Sequence, residues 1–335
     1  MARKTPKATS IEEIARLGKV STTTVSLVLN GKAEQYRISS KTRDRIVAIA
    51  KRLKYVPNPS ARNLRLKQTQ TIGLVITDLS NYFFTQLARY LEQICREHGY
   101  LLQISASEDN EILEEEIVQN FISRSVDGLI IASVHKDTAY VSSIRASVPT
   151  VFIDRRVEGG QCSWVESDNY ESAYQLVNHL ASTNPREVAY IGGIKYISSN
   201  VERLRAYKDA LKHNKIAVRK ALIQEHDFTI ESGYNSMVKL MQALDRLPDA
   251  LFTASFTLLE GALAAVKEKF ELADVHMRIG TYDTHPLLDY SALEIHSVEQ
   301  DSAAIAGKAF EILSEHLGGN DVIRREVIPA RVLFR

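Results

Sequence analysis

Val20-Ser21-Thr22-Thr23-Thr24-Val25-Ser26-Leu27-Val28-Leu29-Asn30-Gly31 is a short helix with its start and stop written into it. Ser21 is a good N-cap for a helix from Thr22 to Leu29, and Asn30-Gly31 is a strong stop. Upstream, Ser10-Ile11-Glu12-Glu13 has the capping-box spacing, in which Ser10 caps the amide of Glu13 and Glu13 reaches back. Ile11, Ile14 and Ala15 then form an apolar stripe at helical spacing. Gly18-Lys19 interrupts that helix, and Val20 returns to the core. Downstream, Ser40 to Leu53 reads as a third amphipathic helix with Ile46, Val47, Ile49, Ala50 and Leu53 inward. Two helices joined by a tight turn and braced by a third make a helix-turn-helix. The same pattern also suits a three-helix bundle that binds protein.

Charge separates these readings. Sixteen Lys and Arg lie between Arg3 and Lys67 against four acids, a net +12, while the remaining 26 basic and 37 acidic residues give −11. The near-zero total therefore hides a basic head on an acidic body. Because the basic residues are interleaved with apolar ones at helical spacing, the head folds, and a small folded basic domain is the footprint of a nucleic-acid binder. Beyond the third helix comes Tyr55-Val56-Pro57-Asn58-Pro59-Ser60-Ala61-Arg62-Asn63-Leu64-Arg65. Asn58 is a good N-cap and Pro59 a good first helical residue. The helix so started is only about two turns long, too short to persist alone in water. It folds only when something holds it, unless it is an ordinary linker.

The bulk numbers bound the rest. A chain of 335 residues calls for two or three domains. At 44% hydrophobic and 25% charged it has the composition of a soluble globular protein. No apolar run approaches the length of a membrane span, and no apolar stretch follows Met1-Ala2-Arg3-Lys4 as a secretory signal requires. Cys95 and Cys162 are the only cysteines. They read as buried or free thiols, as a reducing cytoplasm permits. No P-loop, dinucleotide fingerprint, zinc-protease motif or nucleophile elbow is present, and the nine His lack metal-ligand spacing. The expectation is no catalysis, no cofactor and no metal.

From Thr71 the pattern changes. Ile72-Gly73-Leu74-Val75-Ile76 is a short apolar run of the kind buried parallel strands have. Further runs are Leu101 to Ile104, Gly128 to Ala132, Thr150 to Ile153, Val188 to Ile191, Ala250 to Thr253 and Arg278 to Thr281, with helical segments between them. Alternating β and α indicates an open parallel sheet, and the count asks for two similar lobes. In such sheets ligands bind off the carboxyl ends of the strands. Those positions hold Tyr82 and Phe83 with Asp78 and Asn81, then Asp154-Arg155, then Gly192-Gly193 with Ser199, Asn200 and Arg203, and finally Asp283. Carboxylates that accept from vicinal hydroxyls, a guanidinium fork and an aromatic face make up a sugar or polyol site.

Five segments in order carry a family likeness. Ile14-Ala15, Val20-Ser21-Thr22-Thr23-Thr24-Val25-Ser26, Val28-Leu29-Asn30-Gly31, Tyr55-Val56-Pro57-Asn58 and Leu64 resemble the lactose/galactose-repressor family of bacterial transcription factors, and the likeness continues through the body. The resemblance implies an α/β architecture, in which a helix-turn-helix headpiece (residues 8–56) and a hinge helix with linker (57–70) precede a core (71–335). The core is two-lobed and periplasmic-binding-protein-like, with doubly wound parallel sheets. Its lobes are expected at about 71–165 plus 297–325 and 166–296 plus 326–335. The resemblance also puts the second helix in the major groove of operator DNA, with Thr22, Thr23 and Leu27 facing bases. Ser21, Thr24, Ser26, Asn30, Tyr55 and Asn58 join the DNA-contacting set, and Ala61 and Leu64 face the minor groove. Leu64 would be the wedge, for which apolar side chains are suited. Tyr82, Phe83, Asp154, Arg155, Ser199, Arg203, Phe228, Phe256 and Asp283 fall where relatives meet their effector.

Three departures matter. The turn that is usually Ala-Gly is Gly18-Lys19, and Lys tolerates positive φ less well than Gly. Leu27 stands where several relatives carry a long polar reader, and a leucine cannot hydrogen-bond a guanine. Ser255-Phe256 replaces the Asp that most relatives have after the Ala250-Leu251-Phe252 strand. That last string looks like the sucrose-operon and fructose repressor branch, which implies fructose or fructose 1-phosphate as inducer. No Lys- or Gly-rich phosphate cradle accompanies the arginines, which favours fructose. The implied protein is a cytoplasmic homodimeric repressor on a near-palindromic operator. A dimer and not a tetramer is the expectation, since no heptad repeat follows the body. A fructose-type catabolite repressor/activator, a transport receptor, a sugar enzyme and a regulator that senses a protein are the other readings.

Overall fold

The computed structural model describes residues 10–55, 68–271 and 274–335. It divides into two compact units, Met1–Thr69 and Gln70–Arg335. Asn58, Ala61 and Leu64 lie outside the described residues, and so does most of the expected hinge segment.

In the first unit α1 spans Ile11–Gly18, α2 Thr22–Leu29 and α3 Ser40–Arg52. Each begins on a serine. Ser10 accepts from the Glu13 amide, Ser21 from Thr24 and Ser39 from Thr42, at 3.4, 3.1 and 3.3 Å. Ile14, Val25 and Ile46, one from each helix, are fully buried against one another's neighbours Ala15, Val28 and Ile49. Lys19 does take the left-handed conformation that ends α1, at φ 49°. Its cost is offset by the amides of Lys19 and Val20 closing onto Arg16 and Ala15 carbonyls at 3.3 and 3.1 Å.

The second unit has two six-stranded sheets. The strands of the first are β1 Thr71–Ile76, β2 Leu101–Ala106, β3 Gly128–Ile131, β4 Thr150–Ile153, β5 Ser163–Ser167 and β11 Arg325–Ile328. Those of the second are β6 Val188–Gly192, β7 Ile223–Glu225, β8 Ala250–Thr253, β9 Arg278–Tyr282, β10 Ile295–Glu299 and β12 Arg331–Leu333. The orders are β11-β5-β4-β3-β1-β2 and β12-β10-β9-β8-β6-β7. All pairings are parallel except β10 with β12. In each sheet the strand order reverses beside the first strand of the lobe (β1 or β6), which opens a crevice at the carboxyl edge.

The chain passes between lobes at three places: after β5, between β10 and the helix Ser302–Leu317, and between β11 and β12. These crossings differ by a few residues from the expected boundaries. Ser297–Glu299 stay with the second sheet because β10 pairs with β9 as far as Val298 and with β12 as far as Glu299. Glu326–Ile328 stay with the first because β11 pairs with β5. Both cysteines are buried free thiols. Among the described residues no helix is long and apolar enough to cross a membrane, and no His, Cys, Asp and Glu group could hold a metal ion.

In the second lobe, the helices Ile230–Leu244 and Phe256–Lys267 touch backbone to backbone. A Cβ on Gly261 would sit 1.9 Å from the Ile230 carbonyl oxygen, and one on Gly233 2.3 Å from that of Leu258. Gly307, in the helix Ser302–Leu317, has nothing within 4 Å. Gly261→Ala therefore costs at least about 2 kcal/mol by overpacking. Gly307→Ala adds roughly 0.5–1 kcal/mol through helix propensity. Urea unfolding midpoints of the two variants should move in opposite directions.

Candidate functional site

In the head, Thr22 and Thr23 are exposed on the first turn of α2, and Leu27 is half-buried. The other predicted DNA contacts on this helix have local work. Ser21 caps it and shares a hydroxyl hydrogen bond with Thr24 at 2.9 Å, and the Asn30 amide donates to the Ser26 carbonyl at 2.7 Å. Tyr55 is half-buried, its amide bonded to the Ala50 carbonyl at 2.9 Å. The Ser21 cap holds the helix end on which Thr22 and Thr23 stand, the Asn30 bond closes the opposite end of α2, and the Tyr55 bond closes α3.

In the second unit a cavity of about 600 Å³ opens at the carboxyl edges of both sheets, between the lobes. Phe83, Asp154, Arg155, Ser199, Arg203, Phe228 and Asp283 all line it. Asp154 follows β4 and Asp283 follows β9, so the two carboxylates occupy matching places in the two lobes. Both residues have left-handed backbone, with φ 63° and 67°. Aspartate tolerates that region better than most residues, and the turn aims the side chain back over the strand end. Arg203, one turn into the helix Ser198–His213, is 3% exposed. Its Nε and Nη2 donate to Asn169 Oδ1 at 2.9 and 2.7 Å, and Nη1 donates to the Ala254 carbonyl at 2.7 Å. The guanidinium lies 3.5 Å over the Tyr282 ring. Burial pushes the carboxyls of Asp154 and Asp283 above the ordinary range, and the field of Arg203 opposes that rise at both.

Arg155 belongs to the first lobe. Its Nη1 donates to Asp109 at 2.5 Å, its Nε is 3.4 Å from Asp154 Oδ2 without hydrogen-bond alignment, and its guanidinium stands 5.3 Å from the Phe228 ring of the second lobe. Phe228 fits because Gly193 has no side chain: a Cβ there would lie 2.4 Å from the ring. Asn200 holds that glycine turn, accepting from the Gly193 amide at 3.0 Å and the Tyr190 hydroxyl at 2.8 Å.

Tyr82 and Phe256 do not line this cavity. Tyr82 meets His285 edge-on at 4.7 Å, and Phe256 stacks on His285 at 5.1 Å. The reason is helical geometry. Tyr82 and Phe83 open one helix, successive side chains diverge by about 100°, and only Phe83 faces the crevice. Tyr82, His285 and Phe256 instead join the lobes beside it. The opposite side is bridged as well: the Arg156 amide donates to Ser198 Oγ at 2.9 Å, its Nη2 pairs with Glu202 at 3.1 Å, and the Tyr196 hydroxyl donates to Glu111 at 3.3 Å. Asp109, Asn169 and Gln300 are site residues that the motifs did not mark. Asp109 obeys the strand-end rule, since it follows β2. Asn169 follows one crossing between lobes and Gln300 lies within another, and only tertiary contact brings them in.

Two sheets hinged about a polar cleft, with a separate basic helix-turn-helix unit, define a ligand-responsive DNA-binding regulator. The sequence comparisons agree. Residues 10–58 match the bacterial regulatory proteins of the lacI family, and residues 72–321 match a periplasmic binding protein domain. The sucrose operon repressor of Klebsiella pneumoniae is 35% identical over 93% of this chain and 93% of its own. This chain belongs to the lacI family of bacterial regulatory proteins. Among solved structures, the Cra transcriptional dual regulator of Pseudomonas putida in complex with fructose 1-phosphate superposes with a TM-score of 0.75 at 28% identity, over 79% of this chain and 98% of its own. The lac repressor dimer bound to operator and the anti-inducer ONPF matches in fold over 98% of both chains, with a TM-score of 0.83 at 21% identity.

Two measurements test the site's electrostatics. Asn169→Leu leaves Arg203 buried without its carbonyl fork and destabilises the core by roughly 3 kcal/mol; thermal unfolding reads the loss. Asp283 has a folded-state pKa above its unfolded one, so its contribution to stability is full below the ordinary aspartate pKa and is lost as pH rises through the shifted value. Asp283→Asn is therefore more stable than the wild type at pH 7, and the difference shrinks as pH falls towards the ordinary aspartate range.

Proposed function

We propose that this protein is a sugar-responsive transcriptional repressor of a sucrose-utilisation operon, released from its operator by fructose or a fructose phosphate. The observation that carries the reading is the Arg203 guanidinium sharing one cavity with two matched carboxylates, Asp154 and Asp283, on both of which its field acts, with Phe228 as the aromatic wall. Carboxylates accept from adjacent hydroxyls, and a ring face stacks on an aromatic. The likeness to the Klebsiella sucrose operon repressor supports the operon, and the fructose 1-phosphate held by the Pseudomonas regulator supports the ketose. The Pseudomonas relative also keeps a second reading in view, a catabolite regulator that answers to the phosphosugar.

The protein works as a homodimer in the cytoplasm, each head reading half of a near-palindromic operator. Thr22, Thr23 and Leu27 read bases, while Ser21, Thr24, Ser26, Asn30, Tyr55 and Asn58 position the head. Ala61 and Leu64 enter the minor groove. Asp154, Arg155, Ser199, Arg203 and Asp283 bind the sugar, with Phe83 and Phe228 as apolar walls. Tyr82 and Phe256 act through His285 by joining the lobes. Sugar lowers operator affinity, and by linkage the operator lowers sugar affinity by the same factor.

The deciding experiment is fluorescence anisotropy with DNA from upstream of sucrose-utilisation genes, with fructose or fructose 1-phosphate added. Release by either sugar is expected, and tight binding that no sugar relieves would sink the reading. Operator affinity falls with salt at a log–log slope of about −0.9 per phosphate neutralised. Leu64→Ala weakens the operator complex and leaves sugar affinity unchanged. Asp154→Asn weakens sugar about 10–100-fold through lost charge-assisted hydrogen bonds. His285→Ala lowers affinity for fructose and its 1-phosphate by one common factor of roughly two to ten, the worth of an aromatic contact. Calorimetry with both sugars separates the last two variants.

A further inference from the structure

Behind the sugar cleft lies a second cavity of about 550 Å³. It shares Phe83, Asp283 and Gln300 with the first, so these three residues form the partition between the two. Its remaining walls come from two sources. One is a half-buried flank of the helix Tyr82–Glu97, through Tyr82, Gln86 and Tyr90. The other is two of the three crossings between lobes, Glu299–Ala303 and Pro329–Arg331. A molecule seated here touches the segments whose bending changes the angle between the lobes.

The lining fits a neutral polyhydroxy compound. Gln300 is 8% exposed and its Nε2 donates to Asp283 Oδ1 at 2.6 Å, yet its Oε1 is buried without a hydrogen-bond partner. A buried acceptor left unpaired costs free energy that a hydroxyl donor would restore. The one cation in the wall, Arg331, is already paired with Glu299 at 2.7 Å. The wall therefore holds three carboxylates, Asp283, Glu299 and Asp301, against one cation that is already paired, a balance that disfavours a phosphate. Tyr82 offers an aromatic face of the kind sugars stack on; the ring of Tyr90 carries Arg89 at 4.5 Å from its centroid. We propose that this hinge cavity is a second site, separate from the inducer cleft, for a neutral sugar or polyol, and that its occupant stabilises one lobe angle and so modulates the response to inducer. The proposal does not depend on which sugar fills the cleft.

The test is calorimetric titration of the full-length chain with glucose and with fructose. Two variants separate the sites. Asp154→Asn disables the cleft without touching the hinge cavity, and Ala303→Trp, at an exposed position of the cavity wall, fills the hinge. Gln86→Leu serves as a second hinge variant should the tryptophan perturb folding. The expected result is two sugar equivalents per subunit in the wild type. The hinge variants lose one of them, with at least tenfold weaker binding, and keep cleft affinity within twofold. Asp154→Asn keeps the equivalent that they lose. One equivalent per subunit that Asp154→Asn abolishes and the hinge variants leave alone would overturn the proposal, as would binding of spermidine in place of sugar at the hinge. Sugar binding that only the hinge variants abolish would overturn the cleft reading instead and leave this one standing.

Discussion

A guanidinium buried in a protein interior must be paired or it costs several kcal/mol. Arg203 meets this constraint with neutral acceptors, the Asn169 amide oxygen and the Ala254 carbonyl, and not with an ion pair. That choice leaves its charge available to the field of the cleft. Asp154 from the first lobe and Asp283 from the second can both be buried beside it. Had one aspartate captured Arg203 directly, the other would face the cleft as an uncompensated charge. Arg155 is engaged differently: Asp109 holds it by an ion pair, which leaves its Nε unmatched beside Asp154.

The fold around the site brings these groups together. Each sheet reverses strand order at the cleft, so strand ends and helix beginnings from both lobes converge there. Asn81, Thr229 and Ser255 cap their own helices, whereas the helix bearing Ser199 and Arg203 starts at Ile197 without a side-chain cap. Glycine makes the remaining room. Gly193 admits Phe228, while Gly233 and Gly261 let two helices of the second lobe meet at backbone distance. Bridges on the two sides of the cleft, one aromatic through His285 and one polar through Arg156 and Tyr196, join lobes that three stretches of chain also connect.

Much of this was legible beforehand, and the failures have physical causes. The seven strands that the sequence predicts all exist, and most are apolar runs, Arg278-Ile279-Gly280-Thr281 being the exception. The strands that went unread are β5, β7, β10, β11 and β12, such as Ser163-Trp164-Val165-Glu166-Ser167 and Arg325-Glu326-Val327-Ile328. They are short or carry polar residues: β7, β11 and β12 lie at sheet edges, while β5 and β10 sit one place in from the edge, largely buried, and hold polar residues such as Glu166, His296 and Ser297 there. The strand-end rule and the family motif both point to Tyr82, and the motif to Phe256, but which side of a helix faces the cleft depends on how that helix docks.

What the sequence determined by itself is what local chemistry decides. Serines at Ser10, Ser21 and Ser39 start helices because their oxygens meet orphan amides a few residues on. Apolar strands bury themselves, and strand ends mark the ligand edge in any doubly wound sheet. The charge of the head needs no fold to be counted. Only the tertiary structure decided which strand ends share one cavity, because Asp154 and Asp283 are brought together by lobes that close over each other. It alone also placed Asn169 and Gln300, residues at crossings whose partners lie 34 and 17 positions away. Hydrogen bonds between such distant positions leave no periodicity in the chain, so they become visible only when it is folded.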